Sequence, residues 1–106
     1  WNAKVASSGQ IVQSRPSGEG SGNAVLVIKP DGATKVTFNG MGRLVSNGDA
    51  SASITEIKVD STAINAASTR ELCLTVSSGG AIRLCDPQVA AGDTRACLPS
   101  VPAGCL

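Results

Sequence analysis

The chain has 106 residues, of which 42% are apolar and 2% aromatic, and its formal net charge is +1. This length suits one domain with a single core, and the balanced charge excludes a strongly basic nucleic-acid-binding composition. Trp1 and Phe38 are the only aromatic residues, so the core has to be built from aliphatic side chains, many of them β-branched and favourable in strands.

The first third of the chain predicts strands joined by a loop and a tight turn. Residues 11–12 predict a short strand, and residues 15–23 predict a loop because they hold three glycines and one proline. The continuous apolar run 24–29 predicts a buried strand, since it is short and rich in branched side chains. A Pro-Asp-Gly turn separates it from the alternating segment 34–38, so residues 24–38 predict a β-hairpin.

The remaining strands are predicted between clear turn signals. Breaks at 39–42 and 47–48 each contain an Asn-Gly pair, and the alternating segment 52–60 that follows predicts a strand with one polar face. Residues 71–76 and 81–85 flank Ser-Ser-Gly-Gly and predict the clearest hairpin of the chain. The fold class is therefore mainly β, with antiparallel hairpins in one or two sheets.

The C-terminal segment 86–106 is predicted to be a loop-rich tail of a single domain spanning 1–106. It has several prolines and glycines and no hydrophobic period, so it needs an attachment to stay ordered. All four cysteines lie in the last third of the chain. The chain as a whole has no histidine and no Cys-x-x-Cys pair. Disulfides are therefore favoured over a metal site and over a redox pair, and they indicate an oxidising compartment.

Four cysteines allow three pairings, and the sequence leaves the pairing open. The first choice is Cys85–Cys97 with Cys73–Cys105, because Cys97 would close a loop onto the end of a strand and Cys105 would tie the C-terminus to the sheet. The alternative joins Cys73 to Cys85 across the hairpin and Cys97 to Cys105. Eleven residues lie between Cys85 and Cys97. In the chain-entropy model, closing a loop of this length stabilises the fold by roughly 3 kcal/mol.

The sequence offers no recognisable catalytic or metal site and implies no cofactor. The absence of histidine removes the commonest general base and the Ser–His and Cys–His pairs. The glycine-rich segment 18–23 lacks the lysine of a phosphate loop, and Asp86 and Asp93 lie in ordinary turn sequences. We therefore predict that the chain is not an enzyme.

A group of short motifs occupies residues 72–97. Val-Ser and a glycine turn precede an Arg-bearing strand, Cys-Asp-Pro at 85–87 opens a loop, and Asp-x-Arg-Ala-Cys at 93–97 closes it. This pattern resembles the C-terminal part of the GspH/FimT family of minor pilins and pseudopilins. Residues 36–44, VTFNGMGRL, also resemble the family's Phe-x-x-x-Gly-Arg segment, and Trp1 resembles the tryptophan that follows its N-terminal helix.

The resemblance implies a β-rich head that follows a hydrophobic helix, which is anchored in the inner membrane and later packs in the filament core. The present sequence shows no such helix, so we expect a head domain. The implied partners are other minor and major pilins at the filament tip, where members of the FimU type help to prime pilus assembly. The implied location is the bacterial inner membrane and periplasm, then the extracellular pilus. A type II secretion pseudopilin is the alternative within the family.

DNA binding is the alternative function that the resemblance implies. Members of the FimT type resemble DNA receptors for natural transformation and carry Gly-Arg-x-Arg near the C-terminus. Residues 80–83 read Gly-Ala-Ile-Arg here, so alanine replaces the first arginine. Binding would then require Arg83, Arg95, Arg70 and Lys58 to converge on one patch of phosphate contacts.

Overall fold

Nearly all of the regular structure is β, as the composition predicts. The computed structural model describes residues 1–16, 19, 22–65 and 67–106, and much of the loop predicted at 15–23 lies outside this set. The elements found in the described part of the chain are β1 (Asn2–Lys4), β2 (Ile11–Ser14), β3 (Ala24–Lys29), β4 (Thr37–Phe38), β5 (Leu44–Val45), β6 (Glu56–Ser61), β7 (Leu72–Val76), β8 (Ile82–Cys85) and a 3₁₀ turn at Ala103–Cys105.

Four strands form a central antiparallel sheet in the order β3-β6-β7-β8. The predicted hairpin at its end is confirmed, with Cys73 opposite Cys85 and Val76 opposite Ile82. Strand β6 lies between β3 and β7 and pairs with both, so β3 and β8 are the two edges of the sheet.

The register divides the side chains of this sheet into two faces, because residues opposite each other on antiparallel strands point to the same side. We call one the aliphatic face; its residues are Ala24, Leu26, Ile28, Ile57, Val59, Ser61, Leu72, Leu74, Val76, Ile82 and Leu84. We call the other the arm face; its residues are Val25, Val27, Lys29, Glu56, Lys58, Asp60, Cys73, Thr75, Arg83 and Cys85.

The predicted hairpin of residues 24–38 is wrong. Strand β3 pairs with β6, whereas β4 pairs with β5. The Pro-Asp-Gly turn does form, since the Ala33 N–H donates to the Pro30 carbonyl at 3.0 Å, but the chain then leaves the sheet. Pairing with β6 puts two aliphatic residues of β3 opposite Ile57 and Val59. The segment 34–38 would offer only one aliphatic and one aromatic residue.

Strand β3 exists as predicted, but the prediction that it is buried is wrong. Its residues Val25, Leu26 and Val27 are 38%, 57% and 39% exposed. A continuous apolar run is typical of a strand covered on both faces. Here the strand is an edge of the sheet, so one side of its backbone and part of each side chain stay open.

Two smaller pairs, β1 with β2 and β4 with β5, accompany the central sheet. The loop after β5 is organised by Asn47, whose buried side-chain amide donates to the carbonyls of Ser51 at 3.0 Å and Ala52 at 3.2 Å. The turn of the β7–β8 hairpin has Gly80 at φ 88°, and a Cβ there would collide with the carbonyl of Gly42. That close approach packs the β4–β5 pair against the end of the sheet.

Candidate functional site

Two disulfides hold the C-terminal arm, residues 86–106, on the arm face. Cys73 is bonded to Cys105 and Cys85 to Cys97, with Cα atoms 5.8 and 5.0 Å apart. This is the pairing that the sequence analysis put first. Cys73 and Cys85 are opposite each other on neighbouring strands, and the sulfurs of Cys73, Cys85 and Cys97 lie within 4.8 Å of one another. Because every cysteine is in a disulfide, none offers a thiolate to a metal ion in this state.

The sulfur atoms form the centre of a small core. Cys73, Cys97 and Cys105 are buried together, and Cys85 and Val101 pack against them. Cys73 and Cys105 are the largest side chains that the described residues bury completely. In a chain with so few aromatic residues, the disulfides replace the large apolar side chains that would otherwise fix a tail to a sheet.

Polar contacts fix the two ends of the arm. The Gly104 N–H donates to the Glu56 carboxylate on β6 at 2.8 Å. At the start of the arm, the Asp86 N–H donates to the Arg95 carbonyl at 2.8 Å. The Asp86 side chain is buried and accepts the Gln88 N–H at 2.9 Å, which satisfies a carboxylate oxygen away from water.

An ion pair closes the loop between the arm's first turn and Cys97. The Asp93 carboxylate accepts from the backbone N–H of Arg95 at 2.9 Å and from its Nε and Nη2 at 3.0 and 2.8 Å. These bonds to the Arg95 side chain hold the pKa of Asp93 well below its usual range and raise the pKa of Arg95. The Asp-x-Arg motif is therefore a local clip that shapes the arm.

The aliphatic face lies on the opposite side of the same sheet, half-buried at its centre and open along the two edge strands. Val76 alone among its residues is buried, and Leu26, Ile82 and Leu84 are 57%, 58% and 62% exposed. An antiparallel sheet with one wet face normally turns its polar residues toward water. Here the charged and polar side chains share a face with the arm, and the uncharged face is the open one. An uncharged apolar surface that stays partly exposed in this way is typical of a docking site.

Two of the four basic residues predicted to contact DNA are ion-paired across strands or loops. Lys58 Nζ lies 2.9 Å from the Glu71 carboxylate, and both side chains are more than four-fifths buried. Arg70 Nε lies 3.3 Å from the buried Asp86 carboxylate. Both cations are therefore compensated by carboxylates, which lowers their attraction for phosphates.

The other two basic residues lie in different surroundings. Arg95 is engaged with Asp93, and Arg70 is close enough to contribute to the same electrostatic environment. Arg83 has no carboxylate partner among the described residues; it lies on the arm face and lines a cavity of about 360 Å³ that also touches Thr75. The structure thus groups Arg70 with Arg95, while Lys58 is held in its own ion pair.

The open aliphatic face was missed by reasoning from sequence, although part of its signal was visible. The alternation in 52–60 puts Ile57 and Val59 on one parity, and Leu72, Leu74 and Val76 share another. Only the register between strands shows that these sets lie side by side on one face. Sequence alone gives the parity of each strand and not the partner that lies beside it.

Comparison with known proteins gives no assignment. No protein family, curated protein or solved structure matches the chain. Within the described residues, no helix combines the length and the apolar character needed to cross a membrane.

Proposed function

We propose that the chain is the globular head of a minor type IV pilin, which acts by docking to other subunits and carries out no catalysis. The observation that carries this proposal is the open aliphatic face of a sheet whose opposite face is closed by a disulfide-bonded arm. A surface of this kind favours association over substrate chemistry, because it presents apolar area without converging polar or nucleophilic groups.

The hydrophobic helix of a neighbouring pilin subunit fits this face in its chemistry. Apart from Ser61 at one end, the face carries only aliphatic side chains. A helix packed on a sheet buries such a surface in the usual layered way. Leu26, Ile82 and Leu84 are more than half exposed. Covering a leucine or isoleucine of this kind completely is worth about 2 kcal/mol, so several together would anchor a helix firmly.

The motif resemblance supports the same proposal from the other side of the sheet. The residues that carry it, Cys-Asp-Pro at 85–87 and Asp-x-Arg-Ala-Cys at 93–97, are the ones that close the first loop of the arm. The resemblance therefore concerns residues with a defined structural task. The long cysteine-closed tail also favours a pilus subunit over a type II secretion pseudopilin, which is the alternative within the family.

DNA uptake is the less favoured function. It needs free cations on one patch, and Lys58, Arg70 and Arg95 are each paired with a carboxylate. Neutralised arginines and lysines release few counterions from DNA, so the electrostatic part of the affinity is small. A gel shift with duplex DNA at low salt should show no complex.

The proposal is tested by removing the gene from its source organism and counting surface filaments by electron microscopy. We expect few or no filaments without the gene, and normal numbers when the full-length wild-type protein is restored. Leu84→Lys should fail to restore them, because it places a charge on the aliphatic face where a partner must bury it.

The matched control is Leu98→Lys, at a residue that is 67% exposed and lies outside the aliphatic face. This variant should restore filaments as the wild type does. Unchanged filaments in the deletion strain would contradict the pilin proposal. Restoration by Leu84→Lys would show that docking does not use the aliphatic face.

A further inference from the structure

Strand β3 (Ala24–Lys29) is an edge of the central sheet. One backbone contact shows which of its residues form hydrogen bonds with β6. The Thr62 N–H donates to the Asn23 carbonyl at 2.9 Å, immediately beside the first pair of the β3–β6 ladder. Hydrogen-bonded pairs alternate with non-hydrogen-bonded pairs along an antiparallel ladder. The backbone groups of Val25 and Val27 therefore point to β6.

The backbone groups of Ala24, Leu26 and Ile28 consequently point away from the sheet. No described residue donates to them or accepts from them on that side. Soluble proteins usually protect such an edge with a charge, a proline or a bulge. Residues 24–28 contain none of these, and the register with β6 is continuous, so the edge is a ready template for another strand.

The side chains around this edge define what the added strand must be. Opposite Leu26 and Ile28 it must be apolar to continue the aliphatic face, and opposite Val25 and Val27 it must be apolar on the arm face as well. A charge anywhere opposite 24–28 would be desolvated without a partner. The occupant is therefore an uncharged strand that is apolar on both faces, and β3 itself has this composition.

We propose that the occupant is a second copy of this chain, with the two β3 strands paired antiparallel about Leu26. In this register, Leu26 faces Leu26 of the second copy and Ala24 faces Ile28, so the outward backbone groups of both strands meet as hydrogen-bonded pairs. Lys29 then faces Asn23 and no like charges oppose each other. The edge is thus complementary to itself in backbone, shape and charge.

The pairing has two structural consequences. The two aliphatic faces join on one side of a continuous sheet, because residues opposite each other point to the same face. The two heads run in opposite directions along the strands, since a two-fold axis relates them. The dimer is therefore a state of the free chain, and it does not rest on the proposed pilin function, in which all subunits point one way.

The test is sedimentation velocity of the 106-residue chain from about 10 µM to about 1 mM, a range that reveals weak dimers. The wild type should shift from monomer to dimer. Leu26→Lys and Leu26→Glu, at a residue already 57% exposed, should each weaken the dimer at least about tenfold, because like charges then face each other at the axis. Mixing the two variants should restore association as a heterodimer.

Ile82→Lys is the matched control, since Ile82 is 58% exposed on the same face but lies on the opposite edge strand β8. It should dimerise as the wild type does. Hydrogen exchange should show new protection at the amides of Ala24, Leu26 and Ile28 with rising concentration, and none at Val25. A wild type that stays monomeric at about 1 mM, a mixture that fails to associate, or a dimer lost only in Ile82→Lys would overturn the proposal.

Discussion

The two faces of the central sheet are made by the same four strands but differ in what covers them. The arm face carries the charged residues of β6 and the two half-cystines of β7 and β8, and residues 86–106 cover part of it through covalent bonds. The aliphatic face carries no charge and stays open along both edge strands. Hydrophobicity alone would have closed the opposite face, so covalent attachment decides which side of the sheet the arm covers.

Stability and interaction are therefore assigned to opposite faces of this sheet. The disulfides supply the order that a small aliphatic domain lacks, and they do so without consuming the apolar surface. The aliphatic face is then left available for a partner. Changes on the arm face should therefore affect stability, and changes on the aliphatic face should affect association.

The largest effect is expected from the double variant Cys73→Ala/Cys105→Ala. This bond spans 32 residues and the other spans 12, so the chain-entropy model gives losses of about 3.7 kcal/mol and about 3 kcal/mol respectively. Urea unfolding of both double variants measures the two losses. The larger loss should belong to the Cys73–Cys105 pair, whose side chains are also the more completely buried. Equal stability of the variant and the wild type would contradict the inference that the disulfides stabilise the fold by holding the arm on the sheet.

A smaller loss is expected from Glu56→Ala. The change removes the acceptor of the Gly104 N–H and leaves that group unpaired at the end of the arm, with an expected loss of about 1–2 kcal/mol in urea unfolding. Glu56→Gln is the control, because its amide oxygen still accepts a hydrogen bond. If both variants lose the same amount, charge and not the hydrogen bond holds this end.

The Asp93–Arg95 clip predicts a pH dependence. The pKa of Asp93 is lowered in the folded state through its bonds to Arg95, so the contact stabilises the fold above the unfolded value of about 3.9. This contribution is lost as the pH falls through the lower folded pKa. The stability difference between wild type and Asp93→Asn should be small and constant near neutral pH and should shrink in acid. Denaturant titrations at several pH values measure it, and a difference that grows in acid would have the wrong sign.

The smallest stability effect is expected from Leu84→Lys on the aliphatic face. The side chain is 62% exposed, so unfolding free energy should change by no more than about 0.5 kcal/mol. Binding of a hydrophobic dye should nevertheless fall, because the open apolar area is interrupted. A large loss of stability would show that this face is already covered by the chain itself.

Local pairing was predictable from sequence and long-range pairing was not. Residues 71–76 and 81–85 lie on either side of one Gly-containing turn, so turn chemistry and strand propensity point to the same hairpin. The run 24–29 was recognised as a strand, but its neighbour was misassigned to 34–38. A strand's propensity does not specify its partner, because pairing depends on packing among elements far apart in the chain.

The candidate site likewise combines features that the sequence predicts with features that depend on long-range contacts. Cysteine number and position pointed to a stapled arm, and the pairing ranked first from sequence is the one found in the structure. The open aliphatic face depends on the register of four strands, and the ion pairs of Lys58 and Arg70 depend on loops brought together by folding. None of these relations has a local sequence signal.

The chemistry of this protein follows from its composition: aliphatic β-branched residues make strands, four cysteines without histidine make disulfides, and scarce aromatic residues make those bonds necessary. Which face of the sheet is covered and which stays open follows from strand order and register. Those depend on contacts between residues distant in the chain, whose combined packing energy exceeds any local preference.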